Sequence, residues 1–178
     1  MDTTTNTDPD KATCIRSLEL MATGSVEELA EVYGPEATNR EAKDEPSAAR
    51  GRGPEALHAT ARWLREAYSD LHWEVHDAVR DGDLVVLHTT MSGRQTGPFT
   101  AYADDASVEM VFPPRGGRAF AVTQTHWFRM QDGRIVEHWA NRDDLSLGQQ
   151  LGWTPPTPVY LARMLLARRR ARRPASAH

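Results

Sequence analysis

His126 and Asp143 are the residues of this chain best suited to moving a proton. An imidazole titrates near neutrality, and a carboxylate held in an apolar pocket is raised toward it. Both lie in the stretch Thr123 to Asp144, TQTHWFRMQDGRIVEHWANRDD. Asp-Gly between two alternating segments is a strong hairpin signal, because Gly tolerates the positive φ of a tight turn. Closing the hairpin on Asp132-Gly133 predicts pairing of Met130 with Ile135, Phe128 with Glu137, His126 with Trp139, Gln124 with Asn141 and Val122 with Asp143. Paired residues share a face. That face mixes Phe128 and Trp139 with His126, Gln124, Asn141 and Asp143, as a pocket wall does and a plain core does not. His138 and Arg142 are predicted to face the other way.

On this geometry Asp143 is the candidate general acid/base, acting on carbon next to a carbonyl, and His126 its proton-relay or electrophilic helper. Gln124, Asn141 and His88 are candidates to orient a substrate carbonyl, with Trp139 and Phe128 as apolar wall. Trp63 and Asn39 complete the substrate-contacting set. Each has a structural competitor. Asp143 or Asp144 could cap the turn that starts at Leu145, and His126 could be an inward histidine bonded to Glu137 or Asn141. The pKa of Asp143 discriminates: a low value in a solvated site favours a non-catalytic module. His88, His126 and Asp143 do not follow a recognised metal spacing, so no metal is expected. Cys14 lies on a helix stripe and reads as core.

The elements that must position these residues follow from periodicity. Residues 1–9 have nothing to bury and are expected to be disordered. Cys14, Leu18 and Met21 predict a helix from Asp10. Ser25 and Glu28 form a capping box for a second, Val26 to Tyr33. A short strand follows over Ala37 to Ala42, including Asn39, then a polar loop from Lys43 to Gly53. Pro54 opens the clearest helix, to Tyr68, with Leu57, Ala61 and Leu64 on its stripe and Trp63 on its flank. A first hairpin turns at Asp81-Gly82 and is predicted to put Trp73 and Val75 on one face with Val86 and His88. Gly93 to Gly117 reads as a long connection with at most one short strand, Val108 to Phe112. Arg118 to Met130 is a long strand. After Trp153 a Pro-rich break precedes a helix and an arginine-rich end. Helices followed by antiparallel strands predict an α+β domain over residues 10–153, its curved sheet closed by helices into a cone with a cavity. Residues 154–178 form the break, C-terminal helix and tail.

Composition excludes several classes. The chain of 178 residues has a net charge of −4, one cysteine and no apolar run long enough for a membrane span. Nucleic acid and membrane are therefore not expected as partners. A lone cysteine and a polar, acidic N-terminus suit a cytoplasmic protein.

Gly53-Pro-Glu-Ala, Tyr68-Ser-Asp-Leu71, Ser92-Gly-Arg-Gln-Thr-Gly97, Gly133-Arg-Ile-Val-Glu-His-Trp139, Asp143 and Gln150-Leu-Gly152 occur in this order. Over residues 12–153 the pattern resembles the SnoaL-like polyketide cyclase, or ester cyclase, family of the nuclear transport factor 2-like (NTF2-like) superfamily. The resemblance implies a cone-shaped α+β barrel, usually a homodimer, with no cofactor. It implies an intramolecular aldol closure of a small hydrophobic polyketide ester, with Asp143 matching the family's acid/base. Gln95 stands where the family often has His, and Thr100 to Phe112 is an insertion. The alternatives are an isomerase, dehydratase or epoxide-opening enzyme on the same scaffold, or a non-catalytic ligand-binding or dimerisation module.

Overall fold

The structure, a computed structural model, describes residues 8–172. Of the expected disorder at residues 1–9, residues 1–7 lie outside them, as does the last arginine, Arg173, while Asp8 and Pro9 cap and open the first helix.

Two helices open the chain, α1 (Pro9–Thr23) and α2 (Val26–Val32). Asp8 caps α1, accepting from the amides of Asp10 and Lys11, and Ser25 and Glu28 close the capping box of α2. Strand β1 (Tyr33–Asn39) runs into two short 3-10 turns, Ala42–Asp44 and Ser47–Arg50. Helix α3 (Gly53–Ala67) starts with Pro at its first turn and buries Leu57, Thr60, Ala61 and Trp63. Then come β2 (Tyr68–Asp81), β3 (Leu84–Gln95), β4 (Phe99–Tyr102), β5 (Val108–Phe112), β6 (Ala119–Gln131) and β7 (Arg134–Arg142), followed by α4 (Asp144–Leu151) and α5 (Pro158–Ala171). The long connection thus holds two strands, not one, paired as a separate antiparallel ribbon.

The main sheet has the order β1-β7-β6-β3-β2, with β1 parallel to β7 and the other pairs antiparallel. Its concave face meets α1, α2 and α3. The core joins Leu18, Met21, Leu29 and Leu57 of the helices to Val85, Leu87, Phe128 and Ile135 of the sheet. Cys14 is fully buried there, 3.5 Å from the Met130 sulfur. Helix α5 lies on β5, burying Tyr160 and Met164, and the Tyr160 hydroxyl donates to the Pro113 carbonyl. Among the described residues no helix is long and apolar enough to cross a membrane.

The second hairpin turns on Asp132-Gly133, both with positive φ, as a two-residue loop requires; the first turns one residue later than expected, on Gly82-Asp83, with Asp81 paired to Leu84. The register beyond them differs from the prediction. Met130 pairs with Ile135, but a bulge follows, and Arg129 pairs with Glu137, Phe128 with His138, Trp127 with Trp139, His126 with Ala140 and Gln124 with Arg142. One extra residue on one strand flips every later side chain to the opposite face. His138, Ala140 and Arg142 therefore turn into the cone, and Glu137, Trp139 and Asn141 turn out. The first hairpin repeats the device. Val75 pairs with Thr89 but Asp77 with His88, so Trp73 shares its face with Thr89 and Met91 while Val86 and His88 lie on the outside.

Candidate active site

The concave face, α3 and the chain between β1 and α3 enclose a cavity of about 80 Å³. Its apolar wall includes Leu18, Met21, Leu57, Leu64, Trp63 and Trp73, and its polar lining is Asn39, Glu41, Glu45, Thr60, Gln124, His126, His138 and Arg142.

The polar groups form one connected row. Trp73 donates its indole N–H to Gln124 Oε1 at 3.1 Å, and His126 Nε2 lies 2.9 Å from the same oxygen. His126 Nδ1 is 3.0 Å from His138 Nε2, and His138 Nδ1 is 3.1 Å from Asn39 Oδ1. Asn39 Nδ2 donates to Glu45 Oε1 at 3.4 Å, and the Thr60 hydroxyl donates to Glu45 Oε2. Strands β6, β7 and β1 are adjacent, so one row of side chains from each meets above the core. Phe128 underlies it, its ring 5.0 Å from that of His138.

Burial sets the electrostatics. Glu45 is 2% exposed, and desolvation pushes its carboxyl up to about 7, against the Thr60 hydrogen bond and nearby Arg142. Burial, with Arg142 adding to it, holds His138 down at about 4. Burial first, then His138 and Arg142, holds His126 well below its ordinary value. A carboxyl near neutrality in an apolar cavity is a group able to take and return a proton at physiological pH.

Four residues singled out from the sequence line this cavity: His126, Gln124, Asn39 and Trp63. Trp63 also donates to the Thr100 carbonyl at 2.8 Å. Phe128 is wholly buried below the row. The two bulges take the others elsewhere, and His88, Asn141 and Asp143 line a shallow open pocket with Gln124 and Arg142 instead. Trp139 stacks on Trp127 outside the sheet, centroids 6.0 Å apart, under the Arg40 guanidinium. Asn141 accepts from the Trp127 indole on that outer face at 3.2 Å. His88 is exposed, its ring beside His76. Asp143 is exposed and caps α4, accepting the Ser146 amide at 3.0 Å, which holds its carboxyl below the usual range. Asp143→Ala is expected to lower the melting temperature slightly through the lost cap and to leave turnover essentially unchanged. A large loss of turnover with normal melting would return Asp143 to the chemistry.

Glu45, His138, Arg142 and Thr60 were not singled out from the sequence. His138 and Arg142 were assigned to the opposite face because an alternating pattern carries no mark of a bulge. Glu45 sits in a charged loop, KDEPS, that reads as solvated. Only the fold shows that Arg50 clamps this loop, donating to the Glu45 carbonyl at 2.9 Å and to the Ala103 and Asp104 carbonyls at 2.7 Å each. Among the described residues no three His, Cys, Asp or Glu side chains converge as a metal site.

Residues 13–151 match the family described as SnoaL-like polyketide cyclase. The aklanonic acid methyl ester cyclase DnrD of Streptomyces peucetius is 32% identical over 144 residues, covering 80% of this chain and 90% of that one. Two solved structures are similar. TsrD from Streptomyces laurentii has a TM-score of 0.63 and 28% identity, over 85% of this chain and 98% of that one. IdmH from Streptomyces antibioticus has a TM-score of 0.60 and 26% identity, over 80% and 98%.

Proposed function

This chain belongs to the SnoaL-like polyketide cyclase family, and from that premise we propose that it closes a ring in a polyketide ester by an intramolecular aldol reaction, with Glu45 as the acid/base. The observation that carries this reading is Glu45 itself: a carboxyl raised to about 7, lining an apolar cavity beside Arg142.

The carboxylate takes a proton from the carbon between two carbonyls of the substrate. The enolate carbon then bonds to a ketone carbon of the same molecule, and the ketone oxygen becomes an alkoxide. The Arg142 guanidinium is the cationic group at the cavity and stabilises negative charge on oxygen. The proton then passes to the alkoxide, so substrate and product are isomers. A cavity of about 80 Å³ admits the reacting edge of such an ester, and the rest lies at its mouth. Burial of Glu45 by α3 and the clamped loop keeps water from competing for the proton. The chemistry calls for no cofactor. The homodimer expected for such a cyclase rests on the family resemblance and the cytoplasmic location on the lone cysteine and polar N-terminus, and sedimentation of the purified chain tests the first.

Aklanonic acid methyl ester, the substrate in the relative's name, is the probe. Incubation with the chain alone is expected to give a product of unchanged mass with one ketone fewer. One observation favours a second reading. Arg142 faces the cavity, where the predicted register had turned it away, so an arginine and two acids, Glu41 and Glu45, surround the same space. A water-adding enzyme would need such a group. Mass separates the readings: a loss of one water marks dehydration, a gain of one water on a small epoxide offered as a second probe marks epoxide opening, and no product with tight binding marks a ligand-binding module.

A further inference from the structure

The histidine pair is bracketed by two amide oxygens, Gln124 Oε1 and Asn39 Oδ1. At one end, Gln124 Oε1 receives the Trp73 indole N–H, and the Gln124 amide nitrogen faces the Met91 sulfur at 3.1 Å. An indole N–H only donates, so this amide has one satisfactory orientation, and His126 Nε2 carries a proton toward its oxygen. At the other end, Asn39 Oδ1 receives the Glu41 backbone N–H at 3.2 Å. That amide also only donates, so in this orientation His138 Nδ1 carries a proton toward Asn39. The contact between the rings needs a third. Two neutral imidazoles own two ring protons. The three hydrogen bonds of the row need three, which gives the pair one positive charge.

Asn39 allows one other arrangement. With its amide turned over, Nδ2 donates to His138 Nδ1, which needs no proton, and Oδ1 faces Glu45, which must then be protonated to donate. The total is the same: three protons on the pair and none on Glu45, or two and one. The first arrangement separates charge in a buried site, and the burial that holds both imidazoles low and Glu45 high makes it the minor one at rest. The second leaves the Glu41 N–H without its acceptor, so each carries a penalty the other avoids.

We propose that Glu45 and the His126–His138 pair hold one proton between them, with the Asn39 amide turning to follow it. The proposal rests on Glu45 being the base assigned above. Moving the proton breaks the Glu45 O–H bond and forms the His138 Nδ1–H bond, leaving a carboxylate and a singly charged pair, with nothing else gained or lost. Asn39 separates the two groups, so water in the cavity that both line is the carrier, taking the proton from one and giving it to the other. The pair is thus a positioning element: by taking the proton it leaves Glu45 ionised and ready to receive one from substrate carbon. The charged groups that face the set are Arg142 from β7 and Glu41 and Asp44 from the connection between β1 and α3. Thr60 of α3 and Trp73, Met91 and Gln124 of the sheet are neutral. Arg142 favours the carboxylate and opposes the charged pair, and the two acids do the reverse.

The test is nitrogen NMR of the whole chain labelled with ¹⁵N-histidine at neutral pH. The His138 Nδ1 signal is expected between its proton-bearing and bare positions. Glu45→Gln is expected to move it to the bare position while His126 Nε2 stays proton-bearing. An identical His138 Nδ1 signal in the two proteins would overturn the proposal. His138→Gln supplies a second readout, in which the Glu45 carboxyl ¹³C signal moves to the protonated side and the acid limb of the rate profile moves to higher pH. If both stay put, there is no shared proton. Turnover of Glu45→Gln reports separately on the base. A moved signal with unchanged turnover sinks the base and keeps the sharing, and lost turnover with an unmoved signal does the opposite.

Discussion

Replacing Glu45 by Gln is expected to lower turnover by about 10²- to 10⁴-fold, the usual loss of a positioned general base, and to make the folded chain more stable above pH 7. The two effects have one cause. Glu45 titrates at about 7 in the fold against an ordinary 4.5. Between those values the folded chain holds a proton that the unfolded chain has released, so stability falls as pH rises through that window. Above it the cost is full, on the order of 3 kcal/mol from a shift of roughly 2.5 units. Gln has the same shape, accepts from Thr60 and carries no charge to desolvate. Denaturation at pH 5 and pH 8 should show the variant gaining over wild type mainly at the higher pH. In wild type the acid limb of kcat/KM should lie near 7, as the pH at which the base ionises. Normal turnover in Glu45→Gln would remove the base from this mechanism whatever its stability.

The fold was largely legible because its signals are local. The capping box at Ser25, Pro54 at the head of α3 and the Asp132-Gly133 turn each act within a few residues, and each stands where it was expected. The cavity was half legible. On β6 the alternation of Gln124, His126 and Phe128 is unbroken and gives the correct face. On β7 one bulged residue inverts everything after it, so Trp139 and Asn141 exchange sides with His138 and Arg142. A bulge is settled by what the sheet must cover. Here β7 is sandwiched between β6 and β1, and the inversion puts the stacked pair Trp127 and Trp139 on the outer face. Glu45 was not legible at all, because its burial comes from residues distant in sequence: Arg50 holds the loop to the chain between β4 and β5, and Thr60 meets the carboxyl from α3. The same residue types would look solvated in any unfolded listing of the chain.

Gln95→Leu is the substitution expected to cost most stability outside the apolar core. Gln95 is completely buried at the end of β3. Its amide nitrogen donates to the Phe112 carbonyl at 2.7 Å and to the Gly97 carbonyl at 3.2 Å, and its oxygen accepts the Trp153 indole N–H at 3.1 Å. One side chain thus joins the main sheet to the β4–β5 ribbon and to the segment after α4. Leu has similar volume and fills the space, so no cavity forms. It leaves an indole N–H and two half-buried carbonyls without partners, at about 1–2 kcal/mol each and so roughly 3–6 kcal/mol together. For a chain of this size that lowers the melting temperature by about 10 °C or more. Glu at the same position should also destabilise, because a carboxylate cannot donate to either carbonyl and is buried as a charge. Trp153→Phe removes one of the three bonds and should cost about a third as much. The aromatic stack of Trp153 with Phe112 and Phe99, centroids 4.5 and 5.3 Å away, is kept in that variant. The ribbon also carries the Thr100 carbonyl that fixes Trp63 in the cavity wall. Loosening it should therefore raise KM for the ester, and lower kcat as well, because the Arg50 clamp on the Glu45 loop is anchored on the Ala103 and Asp104 carbonyls of the same ribbon. A melting temperature within a degree or two of wild type for Gln95→Leu would mean that the ribbon and the C-terminal segment do not depend on this amide.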